Sequence, residues 1–500
     1  MFLFWTTLNI DFFQIILFVL RKISNFVAVI KKQGILLLYI IGMLQQFTVD
    51  NFLSFKDSVT LNLKPGRGSR LKTHKAEFIK GFPFLKTAAV FGANASGKTN
   101  LIKAIELGKY LVLHGTNSDE LIDFSPFRLS DENKEKDTTL IYHIICNNRK
   151  YEYGFSYNAE RISREWLLYV TKKTTYVVFS RILDKPISMP YLQKLNPRDD
   201  EFNFIQFIAK GTPKRQLFLH ELSTHNIHDN TTNVSDVEAV LSWFADTLKI
   251  IYPDMPYKQG VVLKAADDDD LRSVFKALLS FFDTGIDDIY LEEVDFEKLN
   301  ISPRLQRIIK ADLSKQNKGE SFGALNSNRN LYFIKYINGE IKAKMLMTVH
   351  HQIGSDNVEY FTLGDESDGT KRLFDYIPLI LDFIYGNNVF VIDEMERSLH
   401  PTLIRKILDI FYQFTLDSPS QLIFSTHESF LMTQNLLRSD EIWLMEKIQG
   451  LSTLFSIDER FNPRYDKKLR QSYLDGSYGA VPKLADNKQL IAFLNKLKEK

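Results

Sequence analysis

The sequence has very little cysteine, with Cys146 alone among 500 residues. One cysteine excludes a disulfide framework and a zinc or iron–sulfur site built from several thiolates, and it fits a reducing compartment. Glycine (23 residues) and proline (15 residues) are too sparse for a collagen-like or low-complexity chain. The chain also lacks an excess of one charge, since it has 63 Lys and Arg residues and 61 Asp and Glu residues. The balance excludes a histone-like basic polymer, although a local basic groove remains compatible with it.

A long hydrophobic run is missing even from the apolar first 42 residues. A membrane-spanning helix needs about 20 consecutive apolar residues, but Arg21 and Lys22 end the run Phe12–Leu20 after nine. A signal peptide would place positive charge before its apolar stretch and small residues after it, and neither is present here. We therefore expect translation to start at Met43, residues 1–42 to lie outside the fold, and the protein to be cytoplasmic. A membrane-associating leader is the alternative.

The chain after Met43 alternates between strand-like and helix-like segments. Four alternating runs between 137 and 181 predict an antiparallel meander. Residues 195–345 are less regular and more helical, and a second compact stretch with alternating helix and strand patterns begins near Gly364. No internal repeat and no sustained heptad pattern occurs, which disfavours a long coiled-coil arm.

The most specific motif is Gly92-Ala-Asn-Ala-Ser-Gly97-Lys98-Thr99, which matches the phosphate-binding pattern G-x-x-x-x-G-K-[ST] in full. Its glycines let backbone N–H groups surround phosphate oxygens, while the lysine reaches the β- and γ-phosphates and the threonine hydroxyl binds Mg²⁺. A strand before the loop and a helix after it provide the expected context. The residues predicted to bind the nucleotide here are Gly92, Asn94, Ser96, Gly97, Lys98, Thr99 and Asn100.

A second half of this site is predicted where the apolar run Asn388–Ile392 ends in Asp393-Glu394. An aspartate at the carboxyl end of a parallel strand lies beside the phosphate loop and holds Mg²⁺, so Thr99 and Asp393 are the candidate metal ligands. Glu394 is then the candidate for polarising the attacking water.

Two further sequence patterns narrow the class of nucleotide-binding protein. The stretch Glu366-Ser-Asp-Gly-Thr-Lys-Arg372 keeps the S-x-G core of an ABC-type signature, and Ser367 and Gly369 would offer a helix N-terminus to an anion. The strand-like run Gln421–Ser425 is followed by His427. In its position, directly after the strand that follows Asp393-Glu394, it resembles the histidine that senses the γ-phosphate in ABC-type heads.

In this order, the motifs resemble the ABC-type ATPases of the SMC/RecF/OLD group. More narrowly, the chain resembles AAA-family ATP-binding proteins of bacterial abortive-infection and other anti-phage systems. The segments Phe47–Phe55, Asp393–Pro401 and Tyr473–Pro482 add to the likeness, and the last is similar to the end of members encoded beside an RloB-like toxin. The chain departs from the family in having no glutamine between residues 100 and 192, so the usual metal-contacting glutamine is unassigned.

The resemblance implies an α/β fold: a P-loop NTPase head of ABC type, with a β-rich N-terminal lobe and an inserted, mostly helical lobe. The expected parts are an apolar leader (1–42), the N-terminal part of the head (43–182), the inserted lobe (183–345), the C-terminal part of the head (346–460) and a basic helical tail (461–500). The resemblance also implies a homodimer in which two heads meet around two Mg·ATP. Ser367 and Gly369 would then close the nucleotide held by the partner, with Glu394 and His427 as catalytic residues.

The function implied is an ATP-hydrolysing dimerisation switch, acting as sensor or regulator in an anti-phage defence system. The expected partner is a co-encoded effector, either RloB-like or a nuclease toxin, with nucleic acid as a further candidate and no membrane. The alternative function is a RecF- or SMC-like DNA repair ATPase that binds DNA across the dimerised heads. A AAA+ remodelling motor is a weaker third reading, which the signature at Ser367–Arg372 disfavours.

Overall fold

In the computed structural model, the residues described are 42–116, 120–225, 233–299, 301–315, 321–327, 329–337, 340–416, 420–465, 467–482 and 487–498. The predicted leader lies outside these residues, except for Gly42, which opens the first strand. Within the described ranges, no helix combines the length and the apolar character needed to cross a bilayer.

Strands and helices alternate along most of the chain. The strands are β1 (Gly42–Asp50), β2 (Val59–Asn62), β3 (Lys75–Ala76), β4 (Phe84–Leu85), β5 (Thr87–Phe91), β6 (Thr138–Cys146), β7 (Arg149–Tyr157), β8 (Ile162–Val170), β9 (Thr175–Ile182), β10 (Leu248–Ile251), β11 (Asp288–Val294), β12 (Ser321–Ser327), β13 (Asn330–Ile337), β14 (Glu340–His351), β15 (Val358–Thr362), β16 (Val389–Ile392), β17 (Gln421–Thr426), β18 (Ile442–Ile448) and β19 (Leu451–Ser456). The α-helices are α1 (Lys98–His114), α2 (Asp131–Glu135), α3 (Pro190–Leu195), α4 (Asp199–Gly211), α5 (Phe218–Thr224), α6 (Ser235–Ser242), α7 (Gln259–Asp267), α8 (Asp269–Phe281), α9 (Pro303–Lys315), α10 (Asp368–Tyr385), α11 (Pro401–Phe414), α12 (Ile457–Phe461), α13 (Leu469–Leu474) and α14 (Asn487–Lys498).

The chain divides into two compact units. Of the described residues, the first unit takes those within 42–253, 387–397 and 412–500, and the second takes those within 254–386 and 398–411. This division falls at different positions from the predicted lobe boundaries at 183 and 345, because helices α3 to α6 pack in the apolar core of the first unit. The lobe boundaries at 183 and 345 therefore remain a prediction from the sequence.

The central sheet of the first unit has the strand order β10-β16-β17-β5-β18-β19. Neighbouring strands from β10 to β18 run parallel, and only β19 is antiparallel to its neighbour. Every residue of β5, β16 and β17 is buried, as continuous apolar runs in a parallel sheet predict. Because these three strands lie side by side and point the same way, their carboxyl ends meet at one edge.

The second sheet of the first unit is antiparallel, with the order β2-β1-β6-β7-β8-β9. Its strands β6 to β9 confirm the meander predicted between 137 and 181. Helix α1 belongs to the same core, since Leu101 and Ile105 are buried together with Val49 of this sheet and Val90 of the central one. Burying such an aliphatic side chain contributes about 1.5–3 kcal/mol, so the helix that follows the phosphate loop is firmly anchored.

The second unit is built around the antiparallel sheet β11-β14-β13-β12, with β15 paired to β14. Its core combines helices α7, α8 and α10 with strands β11, β13 and β14. The alternating helix and strand patterns predicted from near Gly364 are confirmed by α10, β16, α11 and β17. The fold is therefore the predicted α/β class, with a β-rich N-terminal lobe.

Candidate functional site

The motif Gly92–Thr99 forms the turn between the end of β5 and the start of α1. A Cβ atom at Gly92 would lie 2.4 Å from the carbonyl oxygen of Met445, so no larger residue fits. Gly97 has φ +115°, in the left-handed region that glycine adopts without strain. Both glycines of the predicted motif are thus required by the path of the backbone.

Lys98 turns its ammonium group back over the loop. Its Nζ donates to the carbonyl oxygens of Gly92 at 2.9 Å and Ala93 at 3.1 Å. Burial lowers the pKa of Lys98 from 10.5 to about 8, while the nearby carboxylates of the turn Asp393–Glu396 act in the opposite direction. The lysine is therefore held inside the loop, where an anionic ligand would raise its pKa.

Several hydrogen-bond donors of the loop remain open. In the described part of the chain, no acceptor takes the N–H groups of Ala95 and Gly97. The hydroxyl of Ser96 is buried and likewise has no hydrogen-bond partner there. Helix α1 then begins without a side-chain N-cap, so the partial positive charge of its N-terminus also faces this region. Open donors and a helix N-terminus together suit phosphate oxygens.

Asp393 follows β16, and its neighbour β17 fixes its orientation. The Ser425 hydroxyl donates to Asp393 Oδ1 at 2.6 Å, and the Asp393 N–H donates to the carbonyl oxygen of Ile251 at 2.9 Å. The same Ser425 Oγ accepts the N–H of Glu394 at 2.8 Å. Asp393 is buried, so one serine of the adjacent strand holds both acids of the predicted pair.

Glu394 lies in the left-handed region, with φ 45°, although it is not a glycine. Such a conformation costs of order 1–3 kcal/mol and persists where the surroundings impose it, often at functional sites. The side chain stays partly exposed, with Arg397 Nη1 3.8 Å from its Oε2. A partly exposed carboxylate directly after the buried Asp393 is in a suitable environment to accept a proton from water.

His427 follows the end of β17, as predicted. Its backbone N–H donates to Oε1 of Glu396 at 2.5 Å. The pKa of the His427 imidazole is lowered, first by burial and then by the Lys98 ammonium, although the carboxylates of the Asp393–Glu396 turn oppose this. The lowered pKa favours the neutral imidazole, which can donate one hydrogen bond.

The loop, Glu394 and His427 line one cavity of about 410 Å³. Its lining is formed by Asn94, Ala95, Ser96, Gly97, Lys98, Thr99, Asn100, Glu394, His427 and Lys447. A larger cavity, of about 770 Å³, is lined by residues between Arg181 and Lys214 and holds none of the predicted site residues. The smaller cavity is the chemically relevant one, because it brings together four separate parts of the sequence: the loop, Glu394, His427 and Lys447.

The donors and acids around the cavity fit a magnesium nucleotide. The described residues contain no cluster of three histidine, cysteine or acidic side chains that could hold a metal ion alone. Mg²⁺ does not need such a cluster, because it is commonly bound by one or two protein oxygens together with substrate phosphates and water. Thr99, on the cavity wall, and the buried Asp393 would supply the protein oxygens.

Ser367 and Gly369 belong to the second compact unit, whereas all the residues above belong to the first. Ser367 is the N-cap of α10, and its Oγ accepts the N–H of Thr370 at 3.1 Å. A Cβ atom at Gly369 would lie 2.9 Å from the carbonyl oxygen of Ser398, so glycine is required there as well. Before the helix, Glu366 Oε1 accepts hydrogen bonds from within its own unit, including one from the Thr348 hydroxyl at 2.5 Å.

Sequence reasoning missed three side chains around the cavity. Lys447 lines it from β18, Ser425 orients both acids, and Glu396 holds the backbone at His427. The sequence gives a weak indication for Glu396, because it lies two residues after Glu394. Nothing in the local sequence distinguishes Lys447 or Ser425 from other polar residues. Asn100 was predicted to bind nucleotide, and although it lines the cavity, its amide also donates to Ser54 Oγ at 2.8 Å.

Comparison with solved structures finds SMC head domains. One, an SMC head bound to the C-terminal winged-helix domain of ScpA, has 12% identity and a TM-score of 0.34, covering 85% of this chain and 100% of that chain. The SMC head of Thermotoga maritima has 12% identity and a TM-score of 0.34, covering 83% and 98%. An SMC head with an extended coiled coil from Pyrococcus furiosus, bound to the C-terminal domain of ScpA, has 11% identity and a TM-score of 0.32, covering 84% and 98%.

No curated protein matches the chain. The model of one protein family, described as "AAA domain, putative AbiEii toxin, Type IV TA system", matches residues 88–433, which is more than half of the 500 residues. The matched range contains the phosphate loop, the signature, both acids and His427. The chain therefore belongs to this family of AAA domains.

Proposed function

We propose that the protein binds and hydrolyses ATP. The observation that carries this proposal is the convergence of Lys98, Glu394 and His427 on one cavity at the edge of a parallel sheet. Each follows a different strand, so the arrangement depends on the whole sheet and not on one local motif.

Each residue has a distinct task in this proposal. The loop N–H groups and Lys98 bind the phosphates, and Thr99 and Asp393 hold Mg²⁺, which neutralises charge on the phosphate oxygens when bound. Glu394 accepts a proton from the attacking water, and its partial exposure keeps that carboxylate accessible. Neutral His427 donates a hydrogen bond toward the γ-phosphate, a contact that ADP cannot make.

The second part of the proposal is a dimerisation switch. Ser367 and Gly369 lie in a different compact unit from the phosphate loop, and Ser367 is exposed. An exposed helix N-terminus is available to a nucleotide carried by a second copy of the chain. Two copies would close around two Mg·ATP and reopen when hydrolysis removes the γ-phosphates.

We assign the switch to anti-phage defence, in the cytoplasm, as sensor or regulator of a co-encoded effector. The family description, which names a toxin and a type IV toxin–antitoxin system, supports this setting. The effector would be an RloB-like protein or a nuclease toxin. The predicted inserted lobe (183–345) and the predicted basic tail (461–500) are the candidate partner-binding regions.

The switch is tested with Glu394→Gln, which removes the proton acceptor but keeps the size of the side chain. This variant should form a stable dimer in Mg·ATP, measured by light scattering after gel filtration, and remain monomeric in Mg·ADP. The double variant Lys98→Ala/Glu394→Gln is the matched control and should stay monomeric in ATP. A Glu394→Gln protein that remains monomeric in saturating ATP would contradict the switch.

The defence setting needs a separate test. Cells that carry this gene with its neighbouring gene should survive phage challenge as a population, and Lys98→Ala should remove that protection. DNA affinity that rises with ATP and falls steeply with salt, without any protection against phage, would contradict defence and point to DNA repair.

A further inference from the structure

Two contacts to the phosphate loop come from residues beyond the family-matched range 88–433. The Ser452 hydroxyl on β19 lies 2.6 Å from the carbonyl oxygen of Ser96 and 2.8 Å from Ser54 Oγ. The backbone N–H of Ser452 also donates to the carbonyl oxygen of Ser54 at 2.8 Å. Ser452 is buried, with 1% of its surface exposed. A C-terminal strand therefore holds the loop from the side away from solvent.

The second contact comes from the segment after α13. The carbonyl oxygen of Ala480 accepts the N–H of Ala93 at 3.0 Å. Ala480 is buried and has φ 59°, a left-handed conformation that is unusual for alanine. Tyr473, within α13, packs edge-on against Phe91, the last residue of β5, with ring centroids 6.3 Å apart. We call Ser452 and Ala480 the loop clamp.

The geometry of the peptide bond explains what the clamp does. In a trans peptide the C=O and the N–H point in opposite directions, so fixing one fixes the other. The peptide between Ser96 and Gly97 has its C=O held by Ser452, and its N–H is one of the open donors on the cavity wall. The peptide between Gly92 and Ala93 has its N–H held by Ala480, and its C=O accepts Lys98 Nζ at 2.9 Å.

The loop is also shaped around the Ser452 hydroxyl. A Cβ atom at Gly97 would lie 2.6 Å from Ser452 Oγ, so a glycine there allows the close approach. The clamp thus acts on both groups that meet the phosphates: an open N–H and the lysine ammonium.

We propose that Ser452 and Ala480 are positioning residues for nucleotide binding, and that the affinity for ATP therefore depends on the C-terminal segment of this chain. This inference rests on the proposed ATP-binding function and adds to it a dependence on residues outside the family-matched range. Neither residue touches the nucleotide; each sets the direction of a loop group that does.

The matched pair Ser452→Ala and Ser456→Ala tests the first contact. Both serines lie on β19, both are 1% exposed, and both hydroxyls are hydrogen-bonded, but Ser456 Oγ accepts the N–H of Asp458 away from the loop. The melting temperatures of the two full-length variants should fall by similar amounts. Only Ser452→Ala should raise the Kd for ATP, by about fivefold to tenfold for one lost hydrogen bond. Calorimetric titration with Mg·ATP and thermal melts give both values.

Ala480→Val and Ala480→Gly test the second contact. A β-branched residue disfavours the left-handed conformation, while glycine adopts it freely. Ala480→Val should therefore weaken ATP binding, and Ala480→Gly should bind as the wild type does. If Ala480→Val does not fold, the serine pair alone decides the proposal.

The outcomes separate this inference from the function on which it rests. Wild-type protein that binds no ATP contradicts the proposed function and the clamp with it. If the wild-type protein binds ATP and the Kd values of Ser452→Ala and Ser456→Ala are equal, the proposed ATP binding stands and only the role of the loop clamp is overturned.

Discussion

Two helices of this protein begin within a predicted anion-binding motif, and their N-termini are built differently. Helix α1 follows Gly97 and has no side-chain cap, and the Lys98 at its first position is almost completely buried. Helix α10 follows Ser367, whose Oγ accepts the N–H of Thr370 within the helix. The first N-terminus keeps its donors for a ligand, whereas the second satisfies one of its own.

The difference shows what each motif can do alone. Around α1, the partly exposed Glu394, His427 and the open N–H groups line a cavity within one compact unit, and the buried Asp393 precedes Glu394. We therefore expect this end to bind a nucleotide with residues of that unit alone. The N-terminus of α10 is exposed and lies in the other unit. We therefore expect changes at α1 to affect nucleotide binding and changes at α10 to affect a later step.

The largest effect is expected from Lys98→Ala. It removes an ammonium group that contacts the phosphates by charge-assisted hydrogen bonds, each of about 1.5–3 kcal/mol, so the Kd for ATP should rise by more than about 100-fold. Titration with Mg·ATP measures the change. Lys103→Ala, at an exposed lysine of the same helix, is the matched control and should bind normally. Equal ATP affinities for Lys98→Ala and Lys103→Ala would show that Lys98 does not contribute to ATP binding.

Glu394→Gln should lower kcat for ATP hydrolysis by about 100-fold to 10,000-fold, the usual contribution of a general base. Binding should change little, because the glutamate acts on water and not on the phosphates. Steady-state phosphate release and a separate binding titration distinguish the two quantities. Hydrolysis at the wild-type rate would exclude Glu394 as the proton acceptor.

Gly369→Val tests the α10 side of the comparison. The added Cβ lies too close to the Ser398 carbonyl oxygen, so the start of α10 must shift, and hydrolysis should fall while ATP binding is kept. Mixing this variant with Lys98→Ala should restore part of the wild-type rate, because a mixed dimer has one intact site, formed by the phosphate loop of the Gly369→Val copy and the signature of the Lys98→Ala copy. No recovery on mixing, with both proteins folded, would indicate that the signature does not act across a dimer.

The smallest effect is a proton taken up on binding. Since the pKa of Lys98 is lowered to about 8, about half of the free protein carries a neutral lysine at pH 8. Bound phosphate favours the ammonium form and raises that pKa, so ATP binding at pH 8 should take up about half a proton at this residue. The dependence of the binding enthalpy on buffer ionisation measures it. Lys98→Arg, whose guanidinium is always protonated, should show no uptake from this position.

Much of the site was predictable from local sequence, because its chemistry resides in residue types at fixed spacing. The Gly92–Thr99 pattern predicts a loop after a strand, and the apolar run before Asp393 predicts a buried strand that ends in an acid; both are confirmed. The partners of these residues were not predictable. Ser425 lies in a run that looks like any other strand, and its contact with Asp393 exists only because β16 and β17 are neighbours.

The sequence by itself determined which groups are present: two glycines and a lysine in the loop that follows one apolar run, and two acids and a histidine that follow two others. The tertiary structure decided what they do together, because the order β16-β17-β5 brings their strand ends to one edge. It also decided the lowered pKa of Lys98 and the contacts of Ser452 and Ala480 with the loop. Burial and long-range contact set these properties, and neither can be inferred from residue types and their spacing.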